Sequence, residues 1–313
     1  MPASAISPDG CSRAPVPLWG SEHAVKGGCD AICAIQGGGE RVAPLEQFEG
    51  CGFADMNELI RELGPAQRGA LEAFARGEAP AARLLPLAEV ELLAPIGRPV
   101  HDILCVGVNY QAHFDECERA IQMKQAAAAV YFAKRACRLL GPGEAIESHR
   151  ALDEALDYEV ELAVVLGKGG RDIPPERAEE HIFGYSAFND VSARTLQSSH
   201  AQWLRGKSLD GFAVMGPALV TGDEVAFPPE LEVESRVNGE VRQHANTRAF
   251  IRGVAEVISE LSRGMTLEAG DIIATGTPAG VGMGFDPPRY MKPGDVVECE
   301  VQGLGVLRNP VKE

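Results

Sequence analysis

At 313 residues, with 45% hydrophobic and 24% charged residues, the chain has the composition of a globular protein large enough for one big domain, or a big and a small one. A formal net charge of -16 excludes the basic footprint that nucleic acid or an anionic membrane demands. It leaves room for a small acidic ligand, because a few cations in a cleft reverse the local field.

No basic N-terminus followed by an apolar core is present, and no run is long and apolar enough to span a bilayer, which points to the cytoplasm. Eight cysteines are scattered along the chain rather than arranged as a disulfide framework, and read as reduced thiols. Cys29 and Cys33 have the spacing of half a zinc site, but no matching second pair follows.

Residues 1 to about 26 mix Pro, Ser and Gly without periodicity and predict a loosely held tail, with structure starting near Asp30. Residues 31–35, the Gly37-Gly38-Gly39 turn and residues 41–45 predict a short hairpin; no Lys-Ser/Thr follows the glycines, so a phosphate loop is not indicated. Asp55 predicts the cap of a helix through Leu63, and a second helix is expected over 67–76. The Pro-rich stretch from Pro80 to Pro95 predicts a boundary between a small N-terminal α/β unit over 1–98 and a larger unit over 99–313.

Residues 103–110 predict an apolar strand with a polar end. Just beyond it, His113 and Glu116 are three apart, so on a helical turn they share a face and suit a general-base dyad; a casual surface pair has the same spacing. Residues 117–129 have helical composition and are expected to act as a lid, followed by a strand at 130–132 with Lys134 beyond it.

Residues 156–166 read as one strand. Leu156, Tyr158, Val160, Leu162, Val164 and Leu166 form an apolar face, while the other face begins with Asp157, Glu159 and Glu161 and turns apolar at Ala163 and Val165. A purely solvated face would stay polar, so the strand is expected to run from a polar site into a core. Glu159 and Glu161 would stand about 7 Å apart at Cα, close enough to share a hard divalent cation; ordinary strand alternation gives the same pattern.

A strand over 183–191 ends in Asn189-Asp190, placing Asp190 as a third metal ligand. Ser192 is expected to cap a helix carrying Arg194 and Gln197 on one side, and Lys207 fits either a buried cation facing the site or a solvated lysine. Glu232 and Glu234 repeat the Glu-x-Glu spacing, but their face continues with Arg236 and predicts solvent exposure; Asn238-Gly239 is a strong hairpin turn. A helix over 250–263 is expected to bury Ile251, Val254, Ile258 and Leu261 and to stop at Gly264. The strand 271–275 runs into a glycine-rich loop in which backbone N–H groups and the Thr277 hydroxyl suit a carboxylate, and a final hairpin pairs 296–301 with 306–311.

Together, Asn109-Tyr110-x-x-His113-x-x-Glu116, Asp157-Tyr158-Glu159-x-Glu161, Asn189-Asp190-x-x-x-Arg194-x-x-Gln197, Gly206-Lys207-x-x-Asp210-Gly211 and Thr275-Gly276-Thr277-Pro278-x-Gly280-Val281-Gly282 form an ordered set that resembles the fumarylacetoacetate hydrolase family from about Asp102 to the C-terminus. The resemblance implies an α+β, mainly β fold, with a mixed β-roll around the site and a small variable N-terminal domain, usually in a homodimer. It implies Mg²⁺ or Mn²⁺ held by Glu159, Glu161 and Asp190, with His113 and Glu116 activating water. Lys207 and Gln197 would steady an oxyanion, Arg194 would neutralise the substrate, and Gly276 and Thr277 would bind its carboxylate. Lys134-Arg135, where the family often has Lys-Pro, and Thr195, where it often has Asp, bear on substrate choice rather than on metal or dyad.

The expected reaction is hydrolysis of a C–C bond in an acylpyruvate-like diketo acid, with an enolate leaving group stabilised by metal. The alternatives are decarboxylation of an oxaloacetate-like acid or isomerisation of a 2-hydroxydienedioate. A non-catalytic metal and organic-acid binder is disfavoured by the dyad, since pure binding needs no general base.

Overall fold

The computed structural model describes residues 19–25, 30–35, 41–81, 83–121 and 128–313. The glycine turn at 37–39 and residues 122–127 of the expected lid lie outside the described residues.

In chain order, β1 (Trp19–Val25), β2 (Asp30–Ile35) and β3 (Arg41–Pro44) precede α1 (Met56–Glu62) and α2 (Pro65–Ala75). Short strands β4 (Leu85–Pro86) and β5 (Val90–Leu92) lead to β6 (Ile103–Gly107), α3 (Gln111–Ile121), β7 (Val130–Lys134) and β8 (Ile146–Glu147). Then follow β9 (Leu156–Asp157), β10 (Val160–Leu166), β11 (Ile182–Asp190), β12 (Ser192–Ala193), α4 (Arg194–Ser199) and α5 (Leu204–Lys207). The chain closes with β13 (Ala213–Thr221), β14 (Glu232–Val237), β15 (Glu240–Asn246), α6 (Val254–Ser262), β16 (Ile272–Ala274), β17 (Val296–Val301) and β18 (Gly305–Lys312). Strands dominate, as the α+β expectation requires.

One large sheet runs β4-β3-β2-β1-β13-β11-β10-β16-β6-β7, with β5 on β1, and a second sheet runs β15-β14-β17-β18-β8. Pairing is antiparallel except between β16 and β6 and between β18 and β8. β10 lies inside the large sheet and is buried along its whole length. Its even positions, Val160 to Leu166, enter a core shared with the second sheet and α6, while Ala163 and Val165 enter another core with Met56, Leu59 and Phe74. Both faces are therefore apolar beyond Glu161, and each large side chain buried there contributes about 1.5–3 kcal/mol.

Several expectations change. Trp19–Val25, expected as tail, is a strand that pairs with β2, β5 and β13, so the N-terminal strands extend the same sheet and α1 and α2 share its core. The 156–166 strand is broken at Tyr158 and Glu159. Ser192 is not a cap: its hydroxyl turns back to the Asp190 carbonyl, and α4 starts after Ala193 without a side-chain cap. α6 begins at Val254, leaving Ile251 exposed because it precedes the first turn. Asp55 does cap α1, accepting from the Glu58 N–H at 2.8 Å. No helix among the described residues is long and apolar enough to cross a membrane.

Candidate active site

The break between β9 and β10 decides which carboxylates face the site. Asp157 turns away: its Oδ1 accepts from the N–H groups of Tyr158 and Gly282, and its Oδ2 from Met283 N–H and Arg194 Nε, the last at 2.8 Å. Its role is to fix Arg194 and the 282–284 loop. Glu159 and Glu161 stay with Asp190, the last residue of β11, and one oxygen from each of the three lies within 4.8 Å of the others.

The three carboxylates are buried and differ in their partners. Glu159 meets Lys207 Nζ at 2.7 Å and Arg194 Nη1 at 2.6 Å; burial works against ionisation, but Lys207, Arg194 and His113 outweigh it and hold the carboxyl down at about 2. Asp190 is bracketed by Lys207 at 2.8 Å and Lys134 at 2.5 Å. Glu161 has a different partner, the Gly276 N–H at 2.8 Å. Burial and the neighbouring Asp190 and Glu159 push it well above the ordinary carboxylate range. A set of buried carboxylate oxygens with one member awaiting a counter-charge suits a hard divalent cation.

Residues 275–277 complete the edge of β10 beyond β16. Thr275 Oγ1 donates to the Leu162 carbonyl, Gly276 N–H binds Glu161, and Thr277 Oγ1 donates to the Val160 carbonyl while accepting from Gln243. Gly276 has φ +99 and sits against Val106 O and the Asn109 side chain, so a Cβ there has no room. The structure thus gives Gly276 a contact with the Glu161 carboxylate, and commits the Thr277 donor to backbone, although Thr277 also lines the cavity.

Opposite the carboxylates, α3 presents the dyad. His113 Nδ1 is 2.9 Å from Glu116 Oε2, and Glu116 Oε1 accepts from Gly280 N–H at 3.0 Å, tying helix to loop. Cys117 Sγ stands 3.5 Å from His113 Nε2. Burial would lower the imidazole, but hydrogen bonds to Cys117 and Glu116 and the field of Glu159 push it up to about 9.

A cavity of about 250 Å³ joins the two halves, touching His113, Glu159, Glu161, Arg194, Gln197 and Lys207. Arg194 Nη1 donates to Gln197 Oε1 at 3.0 Å, while its buried Nη2 has no partner among the described residues and suits an anionic ligand. Every site residue expected from sequence is thus in or against one pocket. Sequence reasoning passed over three structural members. Lys134 is wholly buried on β7. Gln243 bridges Val160 N–H, Ser235 and Thr277. Cys117 touches His113. Only Lys134, a charged residue ending an apolar strand pattern, left a readable signal.

The sequence profile for the C-terminal region of fumarylacetoacetate (FAA) hydrolase matches residues 102–312. The chain belongs to the fumarylacetoacetate hydrolase family. It is 45% identical over 225 residues to an oxaloacetate tautomerase of Bacillus subtilis (strain 168), covering 72% of this chain and 74% of that one. It is 41% identical over 276 residues to a mitochondrial oxaloacetate tautomerase of Bos taurus, covering 85% and 86%. A fumarylacetoacetate hydrolase structure from psychrophilic Exiguobacterium antarcticum superposes with a TM-score of 0.78 at 42% identity, covering 94% of this chain and 99% of that one.

Proposed function

We propose that this protein moves a proton on a small 2-oxo diacid at a divalent-metal site, with keto–enol tautomerisation of oxaloacetate as its reaction. The observation that carries this reading is the His113–Glu116 dyad facing the Glu159, Glu161 and Asp190 cluster across one cavity. At about 250 Å³ the cavity is smaller than the roughly 300–1,000 Å³ of drug-sized sites, which favours a short acid. The oxaloacetate tautomerase relatives support proton transfer over the C–C hydrolysis expected from sequence, and isomerisation of a hydroxydienedioate uses the same groups.

Glu159, Glu161 and Asp190 would hold Mg²⁺ or Mn²⁺, which when bound supplies the positive charge that acidifies the adjacent carbon. Arg194, which lines the cavity, receives a substrate carboxylate, and Gln197 and Lys207 polarise the C2 oxygen. His113 works at Nε2, with Nδ1 held by Glu116. In the enol-to-keto direction the imidazolium gives its proton to C3 and recovers one from the C2 hydroxyl, so the ring ends each turnover as it began. A homodimer belongs to the same proposal and is read by sedimentation.

The test is a substrate panel of enol-oxaloacetate, an acylpyruvate and a hydroxydienedioate, each with and without Mg²⁺. Metal-dependent ketonisation that is lost in His113→Ala is expected. Cleavage of the acylpyruvate with no effect on the enol would replace this reading by hydrolysis.

A further inference from the structure

Part of the cavity lining carries no charge. Gly107 and Val108 at the end of β6, Phe132 on β7 and Trp203 just before α5 form it as one apolar wall. Trp203 lies against the Gly107 backbone, where a Cβ would come within 2.5 Å of the indole, so the close approach requires a glycine. The same indole meets the Phe132 ring edge-on, with centroids 5.1 Å apart. Packed on both sides, it has little freedom to swing away.

Val108 is the strained member. Its φ of +56 is left-handed, a conformation that a β-branched residue rarely takes. The next residue locks the backbone there: buried Asn109 donates through Nδ2 to the carbonyls of Thr275 and Arg252, accepts at Oδ1 from Arg252 N–H, and accepts at its own carbonyl from Ile251 N–H. A strained residue that its surroundings hold in place, and that lines a cavity, points to a function at that position.

The wall reaches the chemistry through Lys207. Its Nζ stands 5.4 Å from the centroid of the Phe132 ring, and its backbone N–H donates to the Trp203 carbonyl one turn earlier. A substrate oxygen held by Lys207 therefore has the Phe132 ring beside it, and the wall has no cation to meet a further carboxylate.

We propose that Val108, Phe132 and Trp203 are specificity-determining residues: a rigid apolar wall that restricts the site to short 2-oxo acids and turns away diacids whose chain carries a second carboxylate past Phe132. The inference deepens the proposed reading of a short 2-oxo diacid and rests on it. Rigidity is what makes the wall selective, because a wall that cannot yield discriminates by length.

Titration calorimetry with oxalate, 2-oxoglutarate and 2-oxoadipate in the presence of Mg²⁺, on the full-length parent, Val108→Gly and Trp203→Leu, reads the wall without turnover. The parent is expected to bind oxalate and to discriminate against 2-oxoadipate. Val108→Gly should keep the thermal midpoint of the parent, since glycine takes φ +56 freely. It should hold oxalate within about twofold and bind 2-oxoadipate about tenfold or more tightly than the parent does. Trp203→Leu should show the same gain; if it fails to fold, Val108→Gly decides alone. A parent that binds 2-oxoadipate as tightly as oxalate, or a folded Val108→Gly with unchanged selectivity, overturns the proposal. Binding in the expected order by a protein inert toward enol-oxaloacetate would remove the proposed reaction and keep the wall, whereas ketonisation with no selectivity by length would do the reverse.

Discussion

Lys134 Nζ lies 2.5 Å from Asp190 Oδ1, with neither side chain exposed to solvent. The ammonium also donates to the Val191 carbonyl at 2.9 Å, so it is anchored on both sides of the strand end that carries Asp190. Burial and neighbouring Lys207 lower Lys134 while Asp190 opposes them, which leaves the ion pair as the reason the charge is tolerated there.

Lys134→Met removes that charge and leaves Asp190 with Lys207 alone. The metal-free variant should lose about 3–5 kcal/mol of stability, as expected when one partner of a buried pair is deleted. Added Mg²⁺ should recover part of the loss, since a cation binding only the folded state stabilises it. Urea midpoints with and without Mg²⁺ measure both effects; a variant as stable as the parent without metal would show that Lys134 does not hold Asp190.

Metal binding should release a proton. Glu161 is raised above its unfolded value, so the metal-free fold binds a proton there more tightly than the unfolded chain does. Stability of the metal-free protein therefore falls as pH rises from the ordinary carboxylate range toward the raised value, and the metal, which takes the ionised form, gains affinity over the same interval. Titration calorimetry in buffers of different ionisation enthalpy, at pH values from the ordinary carboxylate range upward, reads the proton directly. Affinity that is flat with pH and no released proton would place Glu161 outside the ligand set.

Gly284 leaves the space that the Glu116 carboxylate occupies, and a Cβ there would overlap Glu116 Oε1. Gly284→Ala should push Glu116 off Gly280 N–H and away from His113. Turnover should drop toward the about 10²–10⁴-fold that a general acid–base group supplies, with metal affinity retained because the carboxylate cluster is untouched. Steady-state rates beside Mn²⁺ titrations separate the two, and unchanged turnover would mean that Glu116 does not orient the base.

Much of the site was legible because its signals are local. His113 and Glu116 need only one helical turn, and Asp190 needs only a strand end. The odd face of β10 does run from Glu161 into a core at Ala163 and Val165, as its change of polarity implied. The Glu232–Glu234 strand, with the same spacing, is the outward-facing counterpart: Glu232 is exposed and Glu234 is shared with Arg236 and His244.

What escaped the sequence depends on contacts far apart in the chain. Asp157, which the sequence reading left outside the ligand set, is held away from the cluster by N–H groups of Gly282 and Met283, more than a hundred residues on, and those partners are not written in Asp-Tyr-Glu. The partner that makes Trp19–Val25 a strand, β13, is equally distant. Lys134 shows in the sequence as a charge ending an apolar strand, but its partner Asp190 is brought to it only by the fold. Thr277 offers a hydroxyl in the sequence, and the fold spends it on Val160.

On the proposed reading, the carboxylate cluster and the dyad are two halves of one proton-transfer site. The most direct measurement is Mn²⁺ affinity and enol-oxaloacetate ketonisation determined side by side on the parent, Glu161→Ala and His113→Gln. Glu161→Ala is expected to lose both metal and turnover, while His113→Gln keeps the metal and loses turnover by about 10²-fold or more. Full ketonisation by either variant, or by parent protein stripped of divalent cations, would contradict it.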